Sequence, residues 1–245
     1  MLNTSTSNRH SKAINPRRQA GATLMEILIG LALSTIVTIS MVALMSNSLG
    51  TTSRIIQMTQ LTDQLRNTMS MLTRDVRRAN YNPYSLFCYA NSDCGVSDST
   101  VTHSAELDVV AYSGNSCLRY YLERETPTGL PGAVGGGAFR HVVSGGVGSI
   151  EMWVGGDNQP PDANCGGNAN LWIPVTDPDF VDITAFVVDD DTGSITGTLV
   201  SEASTLTQRT RQVQVRIAGR LVRDNGIERE IEDTIKVRND FITTS

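Results

Sequence analysis

Between Glu26 and Arg54 the chain carries no charged residue, and from Ala22 to Pro83 it carries no proline. The first absence excludes a solvated surface helix, whose outer face needs polar residues. The second leaves nothing to break a helix over the same stretch. Residues 1–21 hold no acidic residue at all. No C-x-x-C pair, G-x-S-x-G, H-E-x-x-H or Walker-type glycine loop occurs anywhere. The spacings that mark zinc ribbons, serine hydrolases, zinc proteases and nucleotide-binding enzymes are therefore missing. What remains is 245 residues, 40% hydrophobic and 18% charged, an ordinary composition for one anchored globular domain.

The uncharged stretch of about 27 residues follows Arg17, Arg18 and a small-residue site, Ala20-Gly21-Ala22. At ~1.5 Å per residue it covers roughly 40 Å as a helix, enough to cross a ~30 Å hydrocarbon layer. The basic residues Arg9, Lys12, Arg17 and Arg18 precede it. By the positive-inside rule they hold the N-terminus in the cytoplasm and send the bulk of the chain to the periplasm. Removing them leaves 16 basic against 25 acidic residues, so the formal charge goes from −5 to about −9. A domain this acidic gains nothing from bulk attraction to nucleic acid. Glu26 lies inside the apolar run, where an unpaired carboxylate costs on the order of 2–3 kcal/mol. An ordinary signal peptide keeps its charges before the run and its cleavage site after it; here Gly21 comes before the run.

Gly21, Ala22, Thr23, Leu24 and Glu26 together resemble the type III signal of type IV prepilins and type II secretion pseudopilins. The resemblance implies cleavage after Gly21 by a prepilin peptidase and a new N-terminus at Ala22, the position that family members N-methylate. Ala22 stands where phenylalanine is usual. The new α-amine, with an ordinary pKa of about 8, would pair with Glu26 of a neighbouring subunit. Buried in a bundle, such a pair sets register more than it adds stability.

Beyond the span, Ile55, Met58, Leu61, Leu65, Met69, Leu72, Val76 and Ala79 recur at steps of three or four. They make one stripe of an amphipathic helix, with Arg54, Asp63, Arg66, Arg74, Arg77 and Arg78 off it or at its edge. One helix of about 55–60 residues is expected, ended by Asn80-Tyr81-Asn82-Pro83. Residues 84–104 read as a loop-rich stretch. Alternation and β-branched content then place strands at Glu106–Tyr112, Cys117–Glu123, Phe139–Val143, Ser149–Val154 and Val181–Val188. Thr126 to Gly137 reads as a mobile connection, Gly155 to Asn170 as a second loop and Asp189–Gly197 as a turn. Gln212–Val222 and Glu230–Val237 form a closing hairpin, with Asn225-Gly226 as a type I′ turn signal.

Leu72-Thr73-Arg74-Asp75-Val76-Arg77-Arg78-Ala79-Asn80-Tyr81 resembles the helix end of PilW-type minor pilins, with Asn80 in place of glycine. Val213 to Ile217 and Thr234 to Asn239 resemble their last hairpin with its terminal Arg-Asn. The resemblance implies an α+β pilin fold, a long N-terminal helix (transmembrane, then amphipathic) packed on an antiparallel sheet. The division expected is a leader (1–21), a transmembrane half-helix (22–50), an amphipathic half-helix (51–82) and a periplasmic sheet domain (83–245). It also implies a structural role in priming and assembling a type IV pilus near the filament tip. The implied partners are other minor and major pilins, the prepilin peptidase and the inner-membrane assembly platform. Type II secretion pseudopilins of the J type share the outline and give a rival reading. A third is a pilus-borne subunit that binds DNA or surfaces.

The cysteines are Cys88, Cys94, Cys117 and Cys165. With the domain outside the cytoplasm, two disulfides are expected. Four cysteines permit three pairings; Cys88–Cys94, closing a short loop, and Cys117–Cys165, tying a strand to the second loop, are favoured. No metal site, catalytic residue or cofactor is assigned. His103 and His141 have no serine or cysteine at a recognisable spacing, and Asp189-Asp190-Asp191 lacks the alternation of a calcium loop. Arg209, Arg211, Arg216, Arg220 and Arg223 form a local basic cluster suited to phosphate, unless acidic neighbours neutralise it.

Overall fold

Thr23 starts the first element. Its carbonyl accepts the amides of Glu26 and Ile27, at 3.0 and 3.2 Å, and its hydroxyl accepts the Glu26 amide at 3.3 Å. This is an N-cap, and the T-x-x-E spacing matches a capping box. From there α1 runs Leu24–Val76, 53 residues without a proline. The computed structural model describes residues 21, 23–82, 106–123, 134–155, 161–167, 169–190, 193–200 and 205–244. The chain divides into two compact units, Met1–Ser53 and Arg54–Ser245.

In the first unit every described side chain is exposed. Leu28, Leu31, Ile36, Val42 and Leu44 are each more than half exposed, on a helix of mean hydropathy 2.4 over its most apolar window. The hydroxyls in its apolar middle are accommodated locally: Ser34, Thr35, Thr38 and Ser40 donate to Leu31, Ala32, Ser34 and Ile36 carbonyls at 2.7–2.9 Å, so these four need no water. An apolar surface this large calls for lipid or another helix.

In the second unit, α1 buries Leu61, Leu65, Met69, Leu72 and Val76, with Ala79 just beyond it. Ile55, expected on this stripe, is instead exposed, and burial begins with the half-buried Met58. The strands form three antiparallel sheets. The first, ordered β1-β2-β3-β4-β5, comprises Asp108–Tyr112, Asn115–Glu123, Val134–Ser144, Val147–Trp153 and Trp172–Pro174. β6 (Val181–Asp189) joins β9 (Gln212–Leu221) and β10 (Glu228–Lys236) in the order β10-β9-β6. β7 (Ile195–Val200), β8 (Thr205–Thr210) and β11 (Phe241–Thr244) form the third, ordered β11-β8-β7. One core gathers the α1 stripe, Leu118, Phe139 and Ile150 of the first sheet, and Ile183, Phe186, Val215 and Ile217 of the second. This is an α+β fold with a long apolar N-terminal helix and antiparallel sheets.

The first two sheets meet at the edge of β6 that β9 leaves free. Asn115 and Ser116 accept the amides of Phe186 and Val188, at 3.1 and 3.0 Å, and His141 Nε2–H donates to the Ile183 carbonyl at 2.8 Å. His141 is buried, so its role here is to satisfy an edge carbonyl that water cannot reach.

Several local expectations are corrected. The glycine run belongs to a strand, not a mobile connection: Gly135, Gly136 and Gly137 pair with Leu122, Tyr121 and Tyr120. A Cβ on Gly137 would collide with the Tyr120 ring, so the missing side chain leaves room for that aromatic in the core. Ile195 opens β7, so Asp189–Gly197 is not all turn. β5, β8 and β11 were not expected at all. The closing hairpin forms, but neither Asn225 nor Gly226 has positive φ, so its turn is not type I′. Asp224 shapes it instead, accepting the Gly226 amide on its side chain (3.1 Å) and the Ile227 amide on its carbonyl (3.0 Å). Ile227 is thereby folded into the core. Two-residue loops with both φ positive occur at Ser113-Gly114 and Gly145-Gly146, where they close β1–β2 and β3–β4.

Candidate assembly site

The sequence signal at the start of α1 is laid out as a helix entry. Gly21 is exposed with open space around it, Thr23 is the cap, and Leu24 is the first helical residue, 76% exposed. Glu26 falls in the first turn, where a carboxylate favours the helix dipole. It is exposed and forms no ion pair with a described residue. The capping geometry gives Thr23 and Glu26 a local role that the motif alone does not reveal. Ala22 and the leader 1–20 lie outside the described residues, as do Cys88, Cys94 and His103.

At the other end of α1, the two segments that carried the second resemblance touch. The last turn tightens, with Arg78 and Ala79 amides donating to Asp75 and Val76 carbonyls at 3.0 Å, and Asn80 takes a left-handed φ of 59°. The Arg238 amide then donates to the Arg77 carbonyl at 3.2 Å, and Asn239 Nδ2 donates to the Ala79 carbonyl at 3.0 Å. Residues 160 positions away therefore cap the helix, and Asn80 returns the favour by accepting the Leu107 amide at 3.1 Å.

Cys117 and Cys165 form a disulfide, closing a sequence separation of 48. It sits in a second, smaller core with Ala138, Trp153 and Trp172. β2 alternates here: Leu118, Tyr120 and Leu122 enter the main core, so Cys117 falls on the opposite face. Two arginines hold residues 161–167 against that face. Arg140 donates to the Cys165 carbonyl at 2.7 Å, pairs with Glu151 at 2.7 Å and lies 3.9 Å over the Trp172 ring. Arg119 chelates Asp108 and donates to the Asp162 carbonyl at 3.1 Å. Burial pushes the nearby Tyr121 phenol above its ordinary value, against the opposing pull of Arg119; Asp108 adds to the rise.

The basic cluster near the C-terminus is largely neutralised. Arg211 is buried between Asp190 (2.8 Å) and Glu106 (3.2 Å), and Arg209 also reaches Glu106 at 3.4 Å. Arg216 pairs with Glu230 at 3.2 Å and Arg220 with Asp182 at 2.8 Å. Arg223 is exposed. A row of phosphates would have to displace these carboxylates. Asp190 is thereby an arginine partner and not an open calcium ligand.

The family model of prepilin peptidase-dependent protein B, PpdB, matches residues 54–237. The chain belongs to the PpdB family. It is a type IV pilin-like protein; the match lies wholly within the second unit and does not include Gly21–Glu26. No curated protein and no solved structure matches the chain. Among the described residues, one helix, α1, is long and apolar enough to cross a membrane.

Proposed function

We propose that this PpdB-family chain is a minor pilin, structural and not enzymatic, that helps prime and assemble a type IV pilus near the filament tip. It would sit in the inner membrane by one span, N-terminus cytoplasmic and sheet domain periplasmic, before entering the filament. A prepilin peptidase would cut after Gly21, and Ala22 would become the N-terminus that is methylated. Other pilins and the inner-membrane assembly platform are its expected partners. The likeness to PilW-type minor pilins at Leu72–Tyr81 and Thr234–Asn239 supports the narrower assignment. The observation that carries the reading is the prepilin-like signal, set at the cap of a helix whose apolar side chains from Leu24 to Leu49 are all exposed. Such a helix needs a bilayer or a bundle of like helices, and the signal provides passage from one to the other.

The test is the intact mass and N-terminal sequence of the protein from its native membrane, beside a Gly21→Ala variant. A start at Ala22 that the variant loses is the expected result. A start at Met1 in both proteins would reduce residues 17–50 to a plain anchor and remove the proposal. Deletion then separates machines: loss of pili fits this reading, whereas loss of exoprotein release alone would move the chain to the type II secretion pseudopilins.

A further inference from the structure

The end of α1 carries a second basic cluster, and this one is open. Arg66, Arg74, Arg77, Arg78 and Arg238 line a cavity of about 570 Å³, with Asp233 as the one carboxylate on its wall. All five arginines are exposed. Arg74 leans on Asp75 at 3.6 Å, while Arg66, Arg77, Arg78 and Arg238 pair with no described carboxylate. Asp233 is itself engaged, accepting the Thr73 hydroxyl at 3.3 Å. Arg77, Arg78 and Arg238 also border an adjoining recess of about 320 Å³. Basic residues in a last turn offset the helix dipole, which accounts for Arg74, Arg77 and Arg78. It does not account for Arg66, more than two turns earlier, nor for Arg238, delivered from beyond β10.

We propose that this cavity binds a short acidic segment of a partner polypeptide. The arginines from Arg66 to Arg77 span roughly 17 Å along the helix, at ~1.5 Å per residue. That is the length of about five extended residues at ~3.3 Å each. Guanidinium groups suit carboxylates through paired N–H donors. A long phosphate backbone fits less well, because about one turn before Arg66 it would run onto the exposed Asp63 of α1. Preferring a polypeptide over a polyphosphate rests on the reading of the chain as an assembly subunit.

The test uses the full chain in nanodiscs of zwitterionic lipid and fluorescence anisotropy with labelled hexaglutamate, hexaglutamine and a ten-nucleotide oligothymidylate. Hexaglutamate should bind saturably, hexaglutamine should not, and the oligonucleotide should bind more weakly than hexaglutamate. Arg77→Ala with Arg238→Ala should weaken hexaglutamate roughly tenfold, Arg77→Lys with Arg238→Lys by roughly threefold or less, and Arg216→Ala not at all. Absent hexaglutamate binding, or binding indifferent to the alanine pair, overturns the proposal. Preference for the oligonucleotide overturns it too and gives the cavity to phosphate. Gly21 processing is measured on the same preparations, so a correctly cut chain that ignores hexaglutamate fails this inference alone.

Discussion

Arg211 and Arg66 carry the same charge in the same unit and use it in opposite ways. Arg211 is buried, donating to the Leu107 carbonyl at 2.9 Å and Asp190 at 2.8 Å, with Glu106 at 3.2 Å. Arg66 is exposed and pairs with no described carboxylate. The difference lies in the element. Arg211 leads into a strand, so the chain on either side of it brings in partners from residues 106 and 190. Arg66 stands at the exposed edge of the face that α1 commits to the core, in the wall of the open cavity. Closed arginines hold the fold together, and open ones remain available to something else.

Truncating a closed arginine is the strongest way to break that contrast. Arg211→Ala leaves Asp190 without this cation, Glu106 with Arg209 alone at 3.4 Å, and the Leu107 carbonyl without the Arg211 donor. Removing one partner of a buried pair typically costs about 3–5 kcal/mol. Glu106 and Asp190 side chains are 21% and 29% exposed, so water recovers part of this, and about 3 kcal/mol is expected. Urea unfolding of the full chain in detergent, followed by near-ultraviolet circular dichroism, measures it. A loss below about 1 kcal/mol would mean that Arg211 is no more than a surface pair.

How far this contrast can be read from sequence follows from the same physics. The Gly21–Glu26 pattern, the apolar run and the stripe from Leu61 to Val76 are local patterns, written in neighbouring residues. The antiparallel hairpin β9–β10 is nearly as local. The third sheet was not legible, because Ile195–Val200 and Thr205–Thr210 are rich in threonine and lack a clean apolar alternation. The glycine run in β3 gave a loop signal, since nothing nearby shows that the Tyr120 ring needs the space. The disulfide-bearing face could be guessed from cysteine count but not its arginines, whose acceptors are carbonyls in another segment. Arg209, Arg211, Arg216, Arg220 and Arg223 looked like a basic patch because sequence does not print cross-strand neighbours. The open cavity was half visible: Arg66, Arg74, Arg77 and Arg78 stood off the stripe, but Arg238 joins them only through the fold.

A smaller effect sharpens the contrast at the disulfide-bearing face. Tyr121 is buried beside the closed Arg119, and its phenol is raised above the ordinary value of about 10 by burial. The unfolded chain therefore ionises this tyrosine first. The stability that Tyr121 contributes is complete below about pH 10 and is lost as pH climbs toward the folded-state value. Tyr121→Phe should flatten the fall of the urea midpoint as pH rises above about 10. If wild type and variant fall in parallel, alkaline unfolding is governed elsewhere and the pull of Arg119 has cancelled the burial.

The smallest effect is the one on which the open class depends. Arg66→Ala removes an exposed guanidinium with no described partner from the middle of a helix. Alanine is at least as good a helix former as arginine, by a few tenths of a kcal/mol. Exposed substitutions without special contacts stay within about 0.5 kcal/mol. The urea midpoint should therefore hardly move, and the Gly21 cut should proceed as before. A loss above about 1 kcal/mol would show that Arg66 is engaged in the isolated chain and belongs with Arg211. The cavity would then be part of the fold's own electrostatics, and an acidic segment would have to compete for it. An unchanged midpoint instead leaves Arg66 with a charge that the fold does not consume, which is the condition for its use by a partner.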